Sequence, residues 1–164
     1  GYLRKTDTGY EDISNLDNLL FSNSTLEVER DVKNIFNSLI SIDDITGKVY
    51  RLYNTALGRF PDYEGFNYWV SNHNIDNLSF EDIAKSFLLS KEFATIYPSN
   101  NSNEAYINDL YSNILNREAD IDGFNYWITQ LNSGIDSRSN TLISFSESSE
   151  NKLLFSEESG LPIV

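Results

Sequence analysis

The sequence predicts an all-α protein: a helical domain built from two similar multi-helix units, with an extra N-terminal helix and a short β-like segment in front. Two observations predict this fold, an internal repeat at a constant offset of 58 residues and apolar residues spaced three and four apart within each copy. Residues 52–69 (LYNTALGRFPDYEGFNYW) and 110–127 (LYSNILNREADIDGFNYW) are identical at ten of 18 positions. The offset persists without a gap as far as Glu92 and Glu150. The chain therefore contains a duplication, with units at about residues 44–97 and 103–155.

The N-terminal region differs in character from the repeated part. Residues 1–22 are predicted to form an extended, hairpin-like segment with a turn at residues 7–9, and the helical domain is predicted to span residues 24–164. The sequence Ser24-Thr-Leu-Glu27 has the pattern of a capping box, in which two side chains satisfy the free backbone donors of a helix start. It predicts an extra helix that begins there and carries the apolar residues Val28, Val32, Ile35, Phe36, Leu39 and Ile40.

Each unit has the same predicted order of helices and caps. The first helix ends at Gly58 in one copy and at Asn116 in the other, and these residue types best tolerate the left-handed conformation at a helix end. Asp62 and Asp120 follow, where a carboxylate can accept the free amides of the second helix. Ser79 and Ser137 start the third helices, and short final turns follow at residues 92–97 and 150–155.

The second helix of each unit has a predicted inward stripe. Its members are large apolar side chains at helical spacing: Phe66, Trp69 and Val70 in the first copy, and Phe124, Trp127, Ile128 and Leu131 in the second. The two tryptophans are interpreted as core residues, because aromatic side chains bury the most area there.

Composition excludes several classes of function. The chain has 164 residues with 25 Asp+Glu against 12 Lys+Arg, a formal net charge of −13. Such a charge argues against nucleic-acid binding, which depends on Lys and Arg, and against anionic membrane surfaces. No apolar run approaches the roughly 18 residues of a membrane span, so no membrane insertion is predicted. The absence of cysteine excludes disulfides, thiolate metal sites and cysteine nucleophiles.

The repeated motifs resemble a known family. LYNTALGRFPDYEGFNYW, LYSNILNREADIDGFNYWITQLNSG and the closing SFSESSEN are similar to the DUF4214 domain, with its leucine-tyrosine helix, LGR-x-PD-x-x-G turn, YW helix and S-x-E end. The resemblance covers about residues 48–155 as two tandem units, and it implies an all-helical fold carried by large secreted or surface proteins of bacteria. The same turn is distantly similar to the linker domains of phycobilisomes, which implies protein–protein scaffolding.

The charged pairs in the two turns are the first candidate binding residues. Arg59 with Asp62, and Arg117 with Asp120, occupy equivalent positions in the two copies. The guanidinium groups could grip carboxylates or sugar hydroxyls, because arginine presents a rigid fork of donors. Alternatively, each arginine binds the carbonyls that end one helix and pairs with the aspartate that caps the next. The second interpretation explains both residues without a ligand.

Four further residues are candidates for ligand contact. Tyr68 and Tyr126 lie one position off the inward stripe and are predicted to be exposed, where they could stack on a sugar. Asn67 and Asn125 are identical between the copies and could supply polar contacts or satisfy the preceding turn.

A calcium site is the weaker of two interpretations of the second turn. Asp120-Ile-Asp122-Gly123 resembles part of a calcium loop, since carboxylate oxygens suit a hard cation. The twelfth position of such a loop would be Thr129 instead of a glutamate, so helix capping is favoured and no cofactor is predicted.

Nothing in the sequence indicates catalysis. His73 is the only histidine, and no partner for acid–base chemistry accompanies it. The predicted function is instead a non-catalytic binding or spacer module of a secreted or cell-surface bacterial protein, which presents its turns or acidic face to a glycan or protein partner. The alternative is a structural protein–protein scaffold, which an exposed contiguous apolar patch would favour. An enzyme would require a pocket with convergent titratable groups, for example one that holds Arg59, Asp62 and Asn67 together.

Overall fold

The computed structural model describes residues 2–5, 9–12, 18–20, 25–98 and 101–163. The N-terminal segment forms two short antiparallel pairs of strands. Strands β1 (Tyr2–Lys5) and β2 (Gly9–Asp12) pair with Tyr2 opposite Asp12, and strands β3 (Asn18–Leu20) and β4 (Thr25–Glu27) pair with Asn18 opposite Glu27. The residues at 7 and 8 of the predicted turn lie outside the described residues. The β-like character expected from the sequence is therefore present in short pieces.

The extra N-terminal helix begins later than predicted. Residues Thr25–Glu27 are extended, and a π-helical segment, Val28–Lys33, continues into the short helix α1, Asn34–Ser38. Ser24, the first residue of the predicted capping box, lies outside the described residues. Asp31 takes over the capping role, because its Oδ2 accepts the backbone N–H of Glu27 at 2.8 Å. The wider π-helical turn places the capping acid four residues after the cap instead of three.

The remaining helices follow the duplication in the positions where they start. The first helices are α2 (Ile45–Leu57) and α6 (Asn103–Leu115), and the second are α3 (Tyr63–Asp76) and α7 (Ile121–Asn132). The third helices are α4 (Phe80–Leu88) and α8 (Arg138–Ser146), and the last are α5 (Lys91–Ile96) and α9 (Ser149–Ser159). Each pair starts 58 residues apart, so the repeated sequence produces repeated structure. The all-α fold class is confirmed.

Local capping rules explain where these helices start and end. Gly58 and Asn116 end the first helices with φ of 61° and 50°, as the left-handed end requires. Asp62 and Asp120 each accept an amide of the following helix, from Gly65 at 2.8 Å and from Gly123 at 2.9 Å. Ser79 and Ser137 cap the third helices through their hydroxyls. None of the described helices is both long and apolar enough to cross a membrane.

The core lies around α2 and α6, whose inner faces are fully buried. Helix α8 of the second unit packs against both α2 and α4 of the first, so the two units share one core. Most members of the core are residues with the spacing of a helical stripe: Val49, Leu52, Tyr53, Ala56, Ile83, Phe87, Ile107, Leu110, Tyr111, Leu142 and Phe145.

Of the stripe predicted on the second helices, only Phe66 in the first copy is fully buried. Phe66 on α3 is 0% exposed, whereas its counterpart Phe124 is half-buried and α7 contains no fully buried residue. Trp69 and Trp127 are half-buried, and each packs its ring 5.4 Å from a core phenylalanine, Phe87 or Phe145. The tryptophans thus pack against the core as predicted, although they are only partly buried. The α7 stripe is less buried than predicted.

A buried arginine joins the two units. Arg51 on α2 is 1% exposed, and its guanidinium binds the carboxylate of Glu147 at 2.7 and 2.8 Å. Its other donors bind the carbonyl oxygens of Ile42 at 2.8 Å and Ser146 at 3.2 Å, and its plane lies over the ring of Phe155. One side chain therefore ties the loop before α2 to the end of α8.

Arg51→Ala is expected to destabilise the fold strongly. It removes the guanidinium that binds Glu147 and the carbonyl oxygen of Ile42, which costs about 3–5 kcal/mol for a buried pair. Urea unfolding followed by circular dichroism measures this loss. Lys85→Ala, which removes an exposed cation on α4, is the control and is expected to change stability by less than about 0.5 kcal/mol. A loss below about 1 kcal/mol for Arg51→Ala would contradict the linking role of this residue.

Candidate functional site

The two equivalent turns each contain a cluster of charged and aromatic side chains. We call them the first turn cluster (Tyr53, Arg59, Asp62, Gly65 and Glu92) and the second turn cluster (Tyr111, Arg117, Asp120, Gly123 and Glu150). In the first, Arg59 binds Glu92 through two parallel contacts, Nε to Oε1 at 2.5 Å and Nη2 to Oε2 at 3.0 Å. Its Nη1 donates to the carbonyl of Phe60 at 3.1 Å and reaches Asp62 Oδ2 at 3.4 Å.

The second turn cluster repeats this geometry nearly atom for atom. Arg117 binds Glu150 through the same two pairs of atoms, both at 3.0 Å. Its Nη1 donates to the carbonyl of Glu118 at 3.2 Å and reaches Asp120 Oδ2 at 3.5 Å. The clusters differ in exposure, because the Arg59 side chain is 20% exposed and that of Arg117 is 40% exposed. Solvent therefore screens the second ion pair more strongly.

A tyrosine supports each arginine and explains the glycine of the motif. The guanidinium carbon of Arg59 lies 5.2 Å from the ring centre of Tyr53, and the equivalent distance for Arg117 and Tyr111 is 4.9 Å. Each tyrosine hydroxyl lies directly against the first turn of the second helix. A Cβ atom at Gly65 or Gly123 would overlap it, so only glycine allows the tyrosine to lie there.

The electrostatics of the clusters follow from these contacts. The amide of Gly123, together with Arg117, lowers the pKa of Asp120, so this carboxylate stays ionised as a cap. Burial, and then the nearby charge of Asp62, raises the pKa of Tyr53. The tyrosine therefore stays neutral throughout the physiological range. Neither group is poised for proton transfer near neutral pH.

The predicted pairing of arginine with aspartate in each turn is confirmed, but the main partner of the arginine, a glutamate, was not predicted. The capping role of Asp62 and Asp120 is confirmed by their hydrogen bonds to Gly65 and Gly123. The arginine does not bind the carbonyls that end the preceding helix, because its carbonyl partner lies within the turn. Its principal partner is the glutamate 33 residues later. The repeat carried a signal for that glutamate, since both copies keep the same Arg-to-Glu separation.

The other candidate residues lie outside the turn clusters. Tyr68 and Tyr126 are 58% and 55% exposed, as predicted, and each meets the edge of its neighbouring tryptophan. Asn67 is half-buried and Asn125 is exposed; among the described residues, neither side chain makes a hydrogen bond. The structure thus separates the eight predicted ligand-binding residues into two charged turns and two Asn-Tyr pairs whose tyrosines are exposed. Their role in binding stays a prediction.

The calcium candidates are arranged as helix-capping residues. Asp120 Oδ1 accepts the amide of Gly123, and its Oδ2 faces Arg117. Asp122 follows in the first turn of α7, where a negative charge favours the helix. The described residues contain no group of three or more His, Asp or Glu side chains that could hold a metal ion.

A shallow cavity lies away from both turn clusters. It has a volume of about 400 Å³, and its lining includes Ile40, Asp43, Asp44, His73 and Phe80. His73 Nδ1 is 2.7 Å from the carbonyl oxygen of Leu78, which it binds across the end of α3. Arg59, Asp62 and Asn67 do not line this cavity, so the arrangement that would have pointed to an enzyme is not formed there.

These features define a class of protein: a duplicated, all-helical module in which an arginine–glutamate clasp holds each inter-helix turn. The model of the DUF4214 family, described as a domain of unknown function, matches residues 84–155. The resemblance to DUF4214 is therefore confirmed over these residues. No curated protein and no solved structure matches the chain. The tandem arrangement of two DUF4214 units and the similarity to phycobilisome linkers stay predictions.

The two turn clusters are expected to respond differently to loss of their glutamate. Glu92→Gln removes the charge that Arg59 binds in the less exposed cluster and is expected to cost about 1–2 kcal/mol of unfolding free energy. Glu150→Gln, the matched change in the more exposed cluster, is expected to cost about 0.5 kcal/mol. Chemical denaturation of both variants measures the difference. Equal costs would show that exposure does not decide the strength of these clasps.

Calcium is expected to leave the thermal stability unchanged. The oxygens of Asp120 already face an amide and a guanidinium, so a cation would have to displace both. Melts in EDTA and in millimolar calcium should give the same Tm within about one degree. If a site were present, a hundredfold excess of calcium over its Kd would add about 2.7 kcal/mol of stability, which a melt detects easily. An upward shift of several degrees would restore Asp120 and Asp122 as ligands.

Proposed function

We propose that this chain is a non-catalytic binding module of a secreted or cell-surface bacterial protein, and that the ligand it binds is another protein. The extracellular setting comes from the DUF4214 resemblance. The preference for a protein ligand comes from what the described surface offers. Among its exposed apolar side chains, Ile121 shares a helix side with two partly buried apolar residues, while the charged groups of the repeated turns are engaged within the fold.

The turn clusters leave little capacity to bind a ligand. In both arginines, Nε and Nη2 donate to a glutamate of the same chain. The remaining nitrogen, Nη1, contacts a backbone carbonyl and an aspartate. A glycan or carboxylate would have to break a bidentate ion pair to reach either guanidinium. We therefore assign the clusters to the architecture of the turns.

The observation that carries the proposal is the exposed apolar face of α7. We define the α7 face by Ile121, Phe124 and Ile128, which lie at helical positions i, i+3 and i+7. Ile121 is 70% exposed, and the other two are only half-buried. Apolar side chains that share one helix face commonly mark a protein-binding surface. A glycan site would instead be expected to place polar groups around an aromatic platform.

Two other functions are each favoured by one observation: a module that binds a glycan, and a structural scaffold. The exposed Tyr68 and Tyr126 could stack on sugars, which favours the glycan ligand. The α7 face also suits the structural scaffold, but a scaffold must join at least two partners. The equivalent face of α3 is covered, so the described surface favours a module with one docking face.

A retention experiment with matched variants tests the proposal. The chain is immobilised and exposed to the secreted and surface-protein fraction of its source bacterium. Wild type and Tyr126→Ala are expected to retain the same proteins, and Ile121→Asp is expected to lose them, because a charge at this position prevents apolar contact. Quantitative mass spectrometry measures the retained proteins. Glycan-array binding that Tyr68→Ala and Tyr126→Ala abolish would contradict the proposal and favour the glycan ligand.

A further inference from the structure

The second helices of the two units have the same sequence pattern but different surroundings. In the first unit, residues 28–38 pack against α3; we call this segment the N-terminal cover. Its Val28, Val32 and Ile35 are fully buried. Within the described residues, no equivalent segment packs on the matching side of α7, which contacts mainly α6.

The N-terminal cover recognises α3 through a polar contact as well as apolar packing. Asp31 Oδ1 accepts the backbone N–H of Tyr63, the first residue of α3, at 3.3 Å. Arg30 holds this carboxylate through Nε and Nη2, both at 2.9 Å, and also interacts electrostatically with Glu64. The positive end of the α3 dipole thus meets an acid, and a positive charge lies within electrostatic range of the acidic residue in the first turn.

The same features recur on α7 without a partner segment. Ile121 occupies the place of Tyr63, Asp122 that of Glu64, and Phe124 that of Phe66. Ile121 is 70% exposed, and the side chain of Asp120 is 60% exposed against 41% for Asp62. Within the described residues, no acceptor lies at the backbone amide of Ile121. In the second unit Ile121, the helix end and Asp122 therefore face solvent, while Phe124 and Ile128 pack against the core and stay partly exposed.

We propose that the α7 face binds an amphipathic helix of a partner protein, and that this helix has the chemistry of the N-terminal cover. Its apolar residues lie at i, i+4 and i+7, as do Val28, Val32 and Ile35. An Arg–Asp pair in its first turn presents the carboxylate to the amide of Ile121 and the guanidinium to Asp122. The inference rests on the proposed function, since it names the partner surface of the same face.

Charge and connectivity favour a foreign helix over a second copy of this chain. The N-terminal cover of each copy already packs on its own α3, so it is not free to bind α7 of another molecule. Two copies would also bring together molecules of net charge −13, which repel each other. A partner helix that brings its own arginine relieves this repulsion at Asp122.

A synthetic peptide tests the proposed chemistry directly. The probe is residues 25–40 of this chain, TLEVERDVKNIFNSLI, labelled with fluorescein and titrated with the full chain while anisotropy is recorded. Binding is expected with a Kd on the order of 10–100 μM, since a short segment must order itself to bind. Ile121→Asp in the chain is expected to weaken binding at least tenfold, and Asp31→Asn in the peptide several-fold.

Matched controls separate the α7 face from other sites. Ile75→Asp changes an equally exposed isoleucine near the end of α3 and is expected to leave the Kd unchanged. Binding that survives Ile121→Asp would place the peptide on α3, by exchange with the N-terminal cover, and would overturn the proposal. So would the absence of binding, or a dimer in sedimentation that Ile121→Asp dissociates. Proteins retained by wild type and lost by Ile121→Asp, without peptide binding, would preserve the proposed function and refute only the proposed helix chemistry.

Discussion

The fold depends on how one buried guanidinium is satisfied. Arg51 is nearly inaccessible, and a charged group in that position is tolerated only because a carboxylate and two carbonyl oxygens surround it. Those partners come from the loop before α2 and from the end of α8. Gly47 allows the loop to approach, because a Cβ there would meet the carbonyl oxygen of Ile42 at 2.7 Å. The requirement to satisfy one arginine thus fixes the relative placement of the two units.

This arrangement also accounts for the difference between α3 and α7. The loop that Arg51 anchors at Ile42 follows directly after the N-terminal cover and holds that segment near α3. In the second unit the position equivalent to Arg51 is Asp109, which accepts a hydrogen bond from Asn101 in the loop before α6 at 3.0 Å, and the element before that loop is α5 instead of the N-terminal cover. Duplicated sequence therefore produces duplicated turns, but the surroundings of the two second helices diverge. The identical residues maintain the turns, and the docking face proposed above lies on the helix whose surroundings differ between the copies.

The sequence revealed most of the fold because helix ends follow local rules. Asp62, Asp120, Ser79 and Ser137 could be identified as caps, since a cap depends only on a residue and the three that follow it. The clasp formed with Glu92 and Glu150 was missed, although its repeated spacing was visible. The contact between Arg51 and Glu147 had no such signal, because the two residues are 96 positions apart and neither is repeated. The exposure of α7 depends on whether a third element covers it, which no local pattern reveals.

Arrays of similar units carry a particular hazard, because one unit can dock in the place of another during folding. The helices α4 and α8 have the same length and both pack against α2, so each could dock in the place of the other. Arg51 discriminates between them: Glu147 follows α8, whereas the equivalent position after α4 is Leu89, which is 86% exposed. Docking of the wrong helix would leave a buried positive charge beside leucine, at a cost of several kcal/mol. A single buried arginine therefore favours one arrangement of the two similar units, because only the end of α8 supplies the carboxylate that it needs.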